Sequence, residues 1–331
     1  MRAAYIDHYG KLDQIQFGDQ PKPTIQSDEV LVKVHAVSIN PLDLPMLEGE
    51  FKAVIPVQFP FILGNDLAGV VIKIGTSVHK FKVGDEVFAK TDEQGSFAEY
   101  TSLKETSVAL RPKNISMTQA AALPLVALTA WQALVEIAQL KRGQKVLIHA
   151  GSGGVGSIAI QLAKHLGAYV ATTASAKNAD WLTDLGADLV IDYKKTNFTD
   201  IVSDYDVVFD TQGGDTLEQS LQVLKRGGIV VSIAGQPDKN MAEAINANWL
   251  MSKIIPLLSL PIRAKAKKHG VRYHFLFMQP NGEQLSRIAE LVEAENIIPV
   301  LDQVYDFTDF AQAIQHVDRG HSKGKVVVNL L

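Results

Sequence analysis

The chain has no cysteine among its 331 residues. That excludes disulfides and thiolate metal sites, and it fits a reducing, cytosolic setting. It has no excess of positive charge: 32 Lys and Arg against 36 Asp and Glu leave a net charge of −4. This balance argues against nucleic acid as a partner, since such partners need a basic face. No apolar run reaches membrane length, so no membrane partner is expected. The longest run, Ala120 to Trp131, is about half a span and holds Pro124. The first residues, MRAAYIDHYG, lack the apolar core of a signal peptide. The nine histidines show no ligand spacing, so no metal site is expected from them. What remains is ordinary globular composition, 47% hydrophobic and 21% charged, at a length that suits about two domains.

The most informative stretch is Lys145 to Gly156, KVLIHAGSGGVG. An apolar run, Val146 to Ile148, enters a glycine-dense turn. Val155, Ile158, Leu162 and Leu166 then recur at helical spacing. Strand, tight turn and helix N-terminus in that order make a pyrophosphate cradle. Free N–H groups and the positive end of the helix dipole meet at one spot. Gly151, Gly153 and Gly156 match G-x-G-x-x-G, with Gly154 and Val155 opening the helix.

Residues 1 to about 120 read as a β domain with frequent Gly and Pro breakers. Val30, Val32, Val34 and Ala36 alternate along one strand, and Ala68 to Ile74 is another. From Met117 the pattern becomes helical, then alternates: strands at 145–150, 169–173, 189–191, 206–209 and 229–234 separated by helices. This β-α-β rhythm predicts a doubly wound parallel sheet. Residues 246 to 275 read as irregular, with Pro256 and Pro261. The basic run Arg263, Lys265, Lys267, Lys268 reads as a solvated face. Segments 282–294 and 310–317 read as helices, and 300–304 and 325–330 as strands.

The second strand ends Thr172-Thr173-Ala174-Ser175-Ala176-Lys177-Asn178, with no acid before Asp180. An NAD-preferring unit usually places Asp or Glu there, for the ribose 2′-hydroxyl. A hydroxyl and an ammonium suit a 2′-phosphate instead. Ser175, Lys177 and Asn178 are therefore expected to hold NADP(H). Ser175 also reads as a helix N-cap. Tyr193, past the third strand, is expected beside the adenosine phosphate; edge packing is its other reading.

The motifs AVSINPLD (36–43), LGNDLAGVV (63–71), FKVGDEVF (81–88), GSFAEY (95–100) and AAALPLVALTAW (120–131) carry a resemblance, together with the glycine turn, LGADLVIDY (185–193), GGIVVSIAG (227–235) and GKVVV (324–328). The chain resembles the medium-chain dehydrogenase/reductase superfamily, in particular its zinc-free quinone and enone oxidoreductases. The resemblance implies an α/β fold: a Rossmann doubly wound parallel sheet plus a GroES-like β-barrel domain. It implies residues 1–121 with 271–331 for the barrel and 122–270 for the NADP-binding domain, with the active site in the cleft. Zinc-dependent relatives carry Cys where Asn40 stands and Gly-His-Glu where Gly64-Asn65-Asp66 stands. Neither zinc is therefore expected here, and Asn65 and Asp66 read as turn residues.

The implied reaction moves a hydride from NADPH to a quinone or an α,β-unsaturated carbonyl, and the protein must stabilise the resulting oxyanion. Asn40 is the first candidate donor, with turn capping before Pro41 as its alternative. Asp43 is a second candidate, for which a local turn hydrogen bond is the commoner role. By resemblance Thr129 lies near the nicotinamide, Ile233, Ala234 and Gly235 end the fifth strand at the ligand edge, and Phe275 and Phe277 belong to a segment returning over the nicotinamide. Lys325 is expected to reach the cofactor phosphates. Relatives also imply a homodimer through the Rossmann edge. Rival readings are a zinc-free binding or structural protein and, disfavoured by the missing ligands, an alcohol dehydrogenase.

Overall fold

A computed structural model describes residues 1–93, 95–320 and 322–330. Gln94, His321 and Leu331, all inside the segments expected for the β domain, lie outside the described residues. The chain forms two compact units, one of Met1–Leu128 with Pro280–Leu331 and one of Thr129–Gln279.

The second unit is built on six parallel strands in the order Leu189–Asp192, Tyr169–Ala174, Lys145–Ile148, Tyr205–Asp210, Leu224–Ser232, Arg272–Phe275. Two strands step outward one way from Lys145–Ile148, and three step the other way. The order therefore reverses beside that strand, at the edge where such sheets bind ligands. Every residue of Tyr205–Asp210 is buried, as expected for a strand covered on both faces. Helix Gly154–His165 buries Ile158 and Leu162 as its spacing predicts, and Gly167 at φ 81° ends that turn.

Residues 246 to 275 are not irregular. They fold as helices Met251–Leu258 and Leu260–His269 and the sixth strand. Pro261 stands in the first turn of its helix, where no N–H is needed. Pro256 falls late in a helix of 8 residues and removes one hydrogen bond. The basic run is the polar face of Leu260–His269, with Lys265 paired to Glu218 at 2.5 Å.

The first unit holds a seven-stranded sheet. Its path runs Leu301–Asp306, Lys325–Asn329, Glu29–Ile39, Asp66–Ile74, Glu86–Lys90, Val108–Leu110, and Tyr100–Lys104 also pairs with Glu29–Ile39. A smaller sheet joins Gln16–Asp19, Arg2–Ile6 and Phe61–Ile62. The core between them is aliphatic, with Phe97 and Phe310 edge to face at 4.8 Å. Both unit boundaries fall later than 121/122 and 270/271. Leu125 N–H bonds Asp66 at 2.7 Å and ties its helix to the first unit, while Arg272–Phe275 pairs with Leu224–Ser232 in the second.

Candidate functional site

In the second unit the glycine turn follows the central strand directly. Ala150 takes φ 53°, a conformation a non-glycine residue adopts only where its surroundings impose it. Gly151 N–H bonds Thr173 carbonyl at 3.0 Å, closing the turn onto the neighbouring strand. A Cβ on Gly151 would strike Thr172 Oγ1, and one on Gly156 would strike the Ala150 carbonyl and the Gly151 Cα at 2.7 Å. Those two glycines serve helix–strand packing. At Gly153 a Cβ would meet only Ala150 carbonyl, at 3.4 Å. The open space there leaves a cradle, and Gly153 is the N-cap of the helix. The N–H groups of Gly154, Val155 and Gly156 form its first turn, where no intrahelical acceptor exists.

Behind the turn lies a network that the sequence did not announce. His149 is buried, with Nδ1 at 3.1 Å from Thr173 Oγ1 and Nε2 at 2.9 Å from Ser220 Oγ. Burial lowers the imidazole pKa to about 4, so the ring is neutral at pH 7. It fixes Thr173, whose hydroxyl accepts from Ala150 N–H at 3.2 Å. Asp210, at the end of the fourth strand, accepts from Ser232 Oγ at 2.6 Å and from the N–H groups of Gln212 and Gly213.

Ser175 opens a short helical turn but makes no capping bond; Asn178 Nδ2 donates to its hydroxyl at 3.4 Å. The N-cap reading of Ser175 is therefore not realised. Lys177 is exposed and, among the described residues, has no ion-pair partner. Tyr193 is 61% exposed and lines a surface pocket of about 450 Å³ with Thr173, Lys194, Phe198 and Thr216. Ile233 and Gly235 stand half-buried at the end of the fifth strand, and Ile233 N–H bonds Asp210 carbonyl at 3.0 Å. Phe275 and Phe277 are half-buried on either side of buried Leu276, and Thr129 is buried. Gln132 and Gln279 hold each other through reciprocal amide–backbone bonds of 2.8 and 3.0 Å.

In the first unit the motif residues meet in a buried polar cluster. Asp66 is the hub: its Oδ2 accepts from Ser38 Oγ at 2.8 Å, Asn40 Nδ2 at 2.9 Å and Lys325 Nζ at 3.4 Å. Lys325 also donates to Ile39 carbonyl at 3.1 Å and to Asn40 Oδ1. Asp43 accepts from Asn40 N–H and from Asn65 Nδ2, each at 2.8 Å. Burial raises the Asp43 carboxyl to about 7, against the pull of those two hydrogen bonds and of Lys325.

These contacts correct four expectations. The Asn40 amide is turned inward onto Asp66 and Lys325, so its best donor is already engaged. The Asp43 carboxylate holds the turn and Asn65. Asp66 opens a strand and anchors charge rather than a turn. The donors of Lys325 are taken up by Ile39, Asn40 and Asp66, which leaves its buried ammonium nothing for a cofactor phosphate.

A family model described as an alcohol dehydrogenase GroES-like domain matches residues 26–113, and one described as a zinc-binding dehydrogenase matches residues 185–328. The residues present do not fit zinc. Asn40 and Asn65 offer neutral amides, and Asp66 is saturated by hydrogen bonds and an internal ammonium. Zinc sites use thiolate, imidazole and free carboxylate. Among the described residues, no group of three His, Cys, Asp or Glu could hold a metal ion, and no helix is long and apolar enough to cross a membrane. The chain is 35% identical over 359 aligned residues to the NAD(P)H oxidoreductase RTN4IP1, mitochondrial, of Homo sapiens, covering all of this chain and 89% of the relative. It is 36% identical to the chloroplastic NADPH-dependent alkenal/one oxidoreductase of Arabidopsis thaliana, covering 99% and 79%. Its fold matches the quinone oxidoreductase of Coxiella burnetii with a TM-score of 0.88 at 31% identity, covering 100% and 99%. A parallel sheet in 3-2-1-4-5-6 order, a GroES-like β domain and this similarity along the whole chain agree: the protein belongs to the medium-chain dehydrogenase/reductase superfamily of oxidoreductases.

Proposed function

We propose that the chain is a zinc-independent, NADPH-dependent reductase of quinones or α,β-unsaturated carbonyls. The observation that carries this reading is the Asn40–Asp66–Lys325 triad. A buried ammonium sits on the carboxylate, so the cluster repels a divalent cation, while its own N–H donors are spent within it. Conjugated acceptors suit a site that repels a divalent cation, because their developing charge is delocalised and hydrogen-bond donors suffice to stabilise it. When bound, the dihydronicotinamide supplies the hydride. The chain's own part is to bind and orient: the N–H groups of Gly154, Val155 and Gly156 for the pyrophosphate, with Gly153, whose N–H holds the Ala150 carbonyl, leaving room for it, and Ser175, Lys177 and Asn178 for the 2′-phosphate. Tyr193 stands on the adenosine side, and Thr129, Ile233, Gly235, Phe275 and Phe277 serve the nicotinamide end. The cysteine-free, mildly acidic composition suits a reducing cytosolic setting.

Steady-state NADPH oxidation against naphthoquinones and alkenals tests the reading; bound cofactor with no acceptor reduced would end it. Lys177→Glu should lower kcat/KM for NADPH by about 30- to 100-fold and leave NADH within about threefold. Equal losses for the two cofactors would remove the 2′-phosphate assignment. Gly153→Ala should keep the thermal midpoint within a few degrees, because its Cβ meets so little, while weakening NADPH at least about tenfold in a fluorescence titration.

A homodimer belongs to the proposal. Arg272–Phe275 is the outer strand of the parallel sheet, and Trp249, Leu257 and Leu258 are more than half exposed nearby in sequence. Light scattering at micromolar concentration would give one subunit mass if this is wrong.

A further inference from the structure

We infer that Lys90 is an oxyanion-receiving residue of the first unit, whose ammonium donates to the negatively charged oxygen that forms on a conjugated carbonyl or quinone as it is reduced. The inference rests on the reductase reading and adds to it the proton donor that Asn40 does not supply.

Lys90 ends strand Glu86–Lys90, after three fully buried residues, and is itself only 9% exposed. In the antiparallel register it stands opposite Asp66, so the two side chains leave the same face of the sheet. A salt bridge would be the ordinary outcome. None forms, and the carboxylates whose field reaches Lys90 are each held by other donors. Asp66 takes Ser38, Asn40 and Lys325 on one oxygen and Leu125 N–H on the other. Asp43 takes Asn40 N–H and Asn65. Asp92 takes Lys104 N–H at 3.1 Å and Ser107 Oγ. Among the described residues, Lys90 has neither a hydrogen bond nor an ion pair, and its three N–H donors are unused.

The contrast with Lys325 carries the argument. Lys325 is buried more deeply still, and three acceptors account for it. For Lys90 the fold supplies only a diffuse negative field. The stem of Lys90 is buried, while its ammonium nitrogen is not among the enclosed unpartnered polar atoms, so its tip opens to solvent beside Asp66, where a ligand oxygen can reach it. Among the described residues no acceptor fixes that tip, and a ligand oxygen would complete it. Burial holds the ammonium below the ordinary lysine range, with Asp66, Asp92 and Asp43 pulling it back up. Proton release toward an oxyanion is eased accordingly.

With the hydride supplied by bound NADPH, which would lose its C4–H bond and be oxidised to NADP+, the β-carbon gains a C–H bond, the carbon–carbon π pair shifts, and the carbonyl π pair becomes the oxygen lone pair of an enolate. An N–H bond of Lys90 breaks and an O–H bond forms, giving the enol and a neutral amine. The enol tautomerises to the saturated carbonyl in water, and the amine regains its proton from water.

The test compares wild type with Lys90→Met and Lys90→Gln by thermal unfolding, NADPH fluorescence titration and kcat against pH. Lys90→Met should raise the thermal midpoint or leave it level, keep the NADPH Kd within about twofold, and lower kcat about a hundredfold. Lys90→Gln keeps N–H donors without a transferable proton. It should fall between the two in kcat and lose the alkaline limb that wild type shows. A midpoint lowered by more than a few degrees in both variants would mark a structural lysine and overturn the inference. So would a Lys90→Met kcat within threefold of an active wild type, in which case the reductase reading survives. A wild type that reduces no acceptor ends that reading and the inference with it.

Discussion

Replacing Lys325 with Met should cost about 3–5 kcal/mol of unfolding free energy at pH 7, the typical loss when one partner of a buried ion pair is removed. Asp66 is fully buried, and Lys325 is the only cation bonded to it among the described residues. Ser38, Asn40 and Leu125 would still donate to the carboxylate, but its charge would have no bonded counter-ion. Asn40 Oδ1 and Ile39 carbonyl would also lose a donor, and each buried acceptor left open adds to the loss. Adding Asp66→Asn to the same chain removes the charge and should recover more than half of the deficit. Urea unfolding of the two single variants and the double variant completes a cycle whose coupling term isolates the pair. A Lys325→Met loss under about 1 kcal/mol would mean the pair is not what holds this cluster. NADPH affinity should change by less than about threefold in Lys325→Met, because the ammonium has no donor left for a phosphate; a large loss would restore the phosphate role first assigned to it.

The sequence announces this pair poorly, and the reason is geometric. The glycine turn, the helix after it and five of six parallel strands are local events, written in runs of about 4 to 12 residues with a clear period. Gly151, Gly153 and Gly156 could be named because a strand–turn–helix needs them at fixed spacing. The sixth strand, Arg272–Phe275, could not. Its residues show no alternation, one exposed and three half-buried, and they form a strand because Leu224–Ser232 lies beside them; Pro256 and Pro261 upstream read as breakers although one opens a helix. The polar cluster of the first unit is less legible still. Ser38, Asn40, Asp66, Lys90 and Lys325 come from four strands and the turns beside them, and their meeting depends on registers such as Asp66 opposite Lys90 and Val326 opposite Ile39. Asn40 reads from its motif as substrate-facing, because nothing local says that its amide points at a lysine 285 positions away. Nothing local singles out Lys90; its place shows only once Asp66 is known to stand opposite it.

Asp43→Asn should change the pH dependence of stability more than any other single substitution in the cluster. The folded state holds the Asp43 carboxyl at about 7, chiefly through burial, while the unfolded chain releases that proton near the ordinary value of about 3.8. Between those two values the folded protein binds the extra proton. Stability from this group is therefore complete below about pH 4 and is lost as pH rises to about 7, by up to about 4 kcal/mol. His149 acts in the opposite sense in an overlapping window. Its folded value lies near 4, below the ordinary 6.5, so its contribution is present above that value and is lost as pH falls. The two slopes oppose each other in wild type, so a single unfolding curve against pH would hide both. The difference between Asp43→Asn and wild type removes the histidine and leaves the carboxyl. That difference should move in favour of the variant by about 1.4 kcal/mol per pH unit in the middle of the window and level off above pH 7. A constant offset is expected beneath the slope, because an amide in place of the carboxylate points one N–H₂ group at Asn40 N–H or Asn65 Nδ2, and donor then faces donor. A flat difference between pH 4 and 7 would mean that Asp43 is ionised in the folded state throughout, its two hydrogen bonds and Lys325 outweighing its burial.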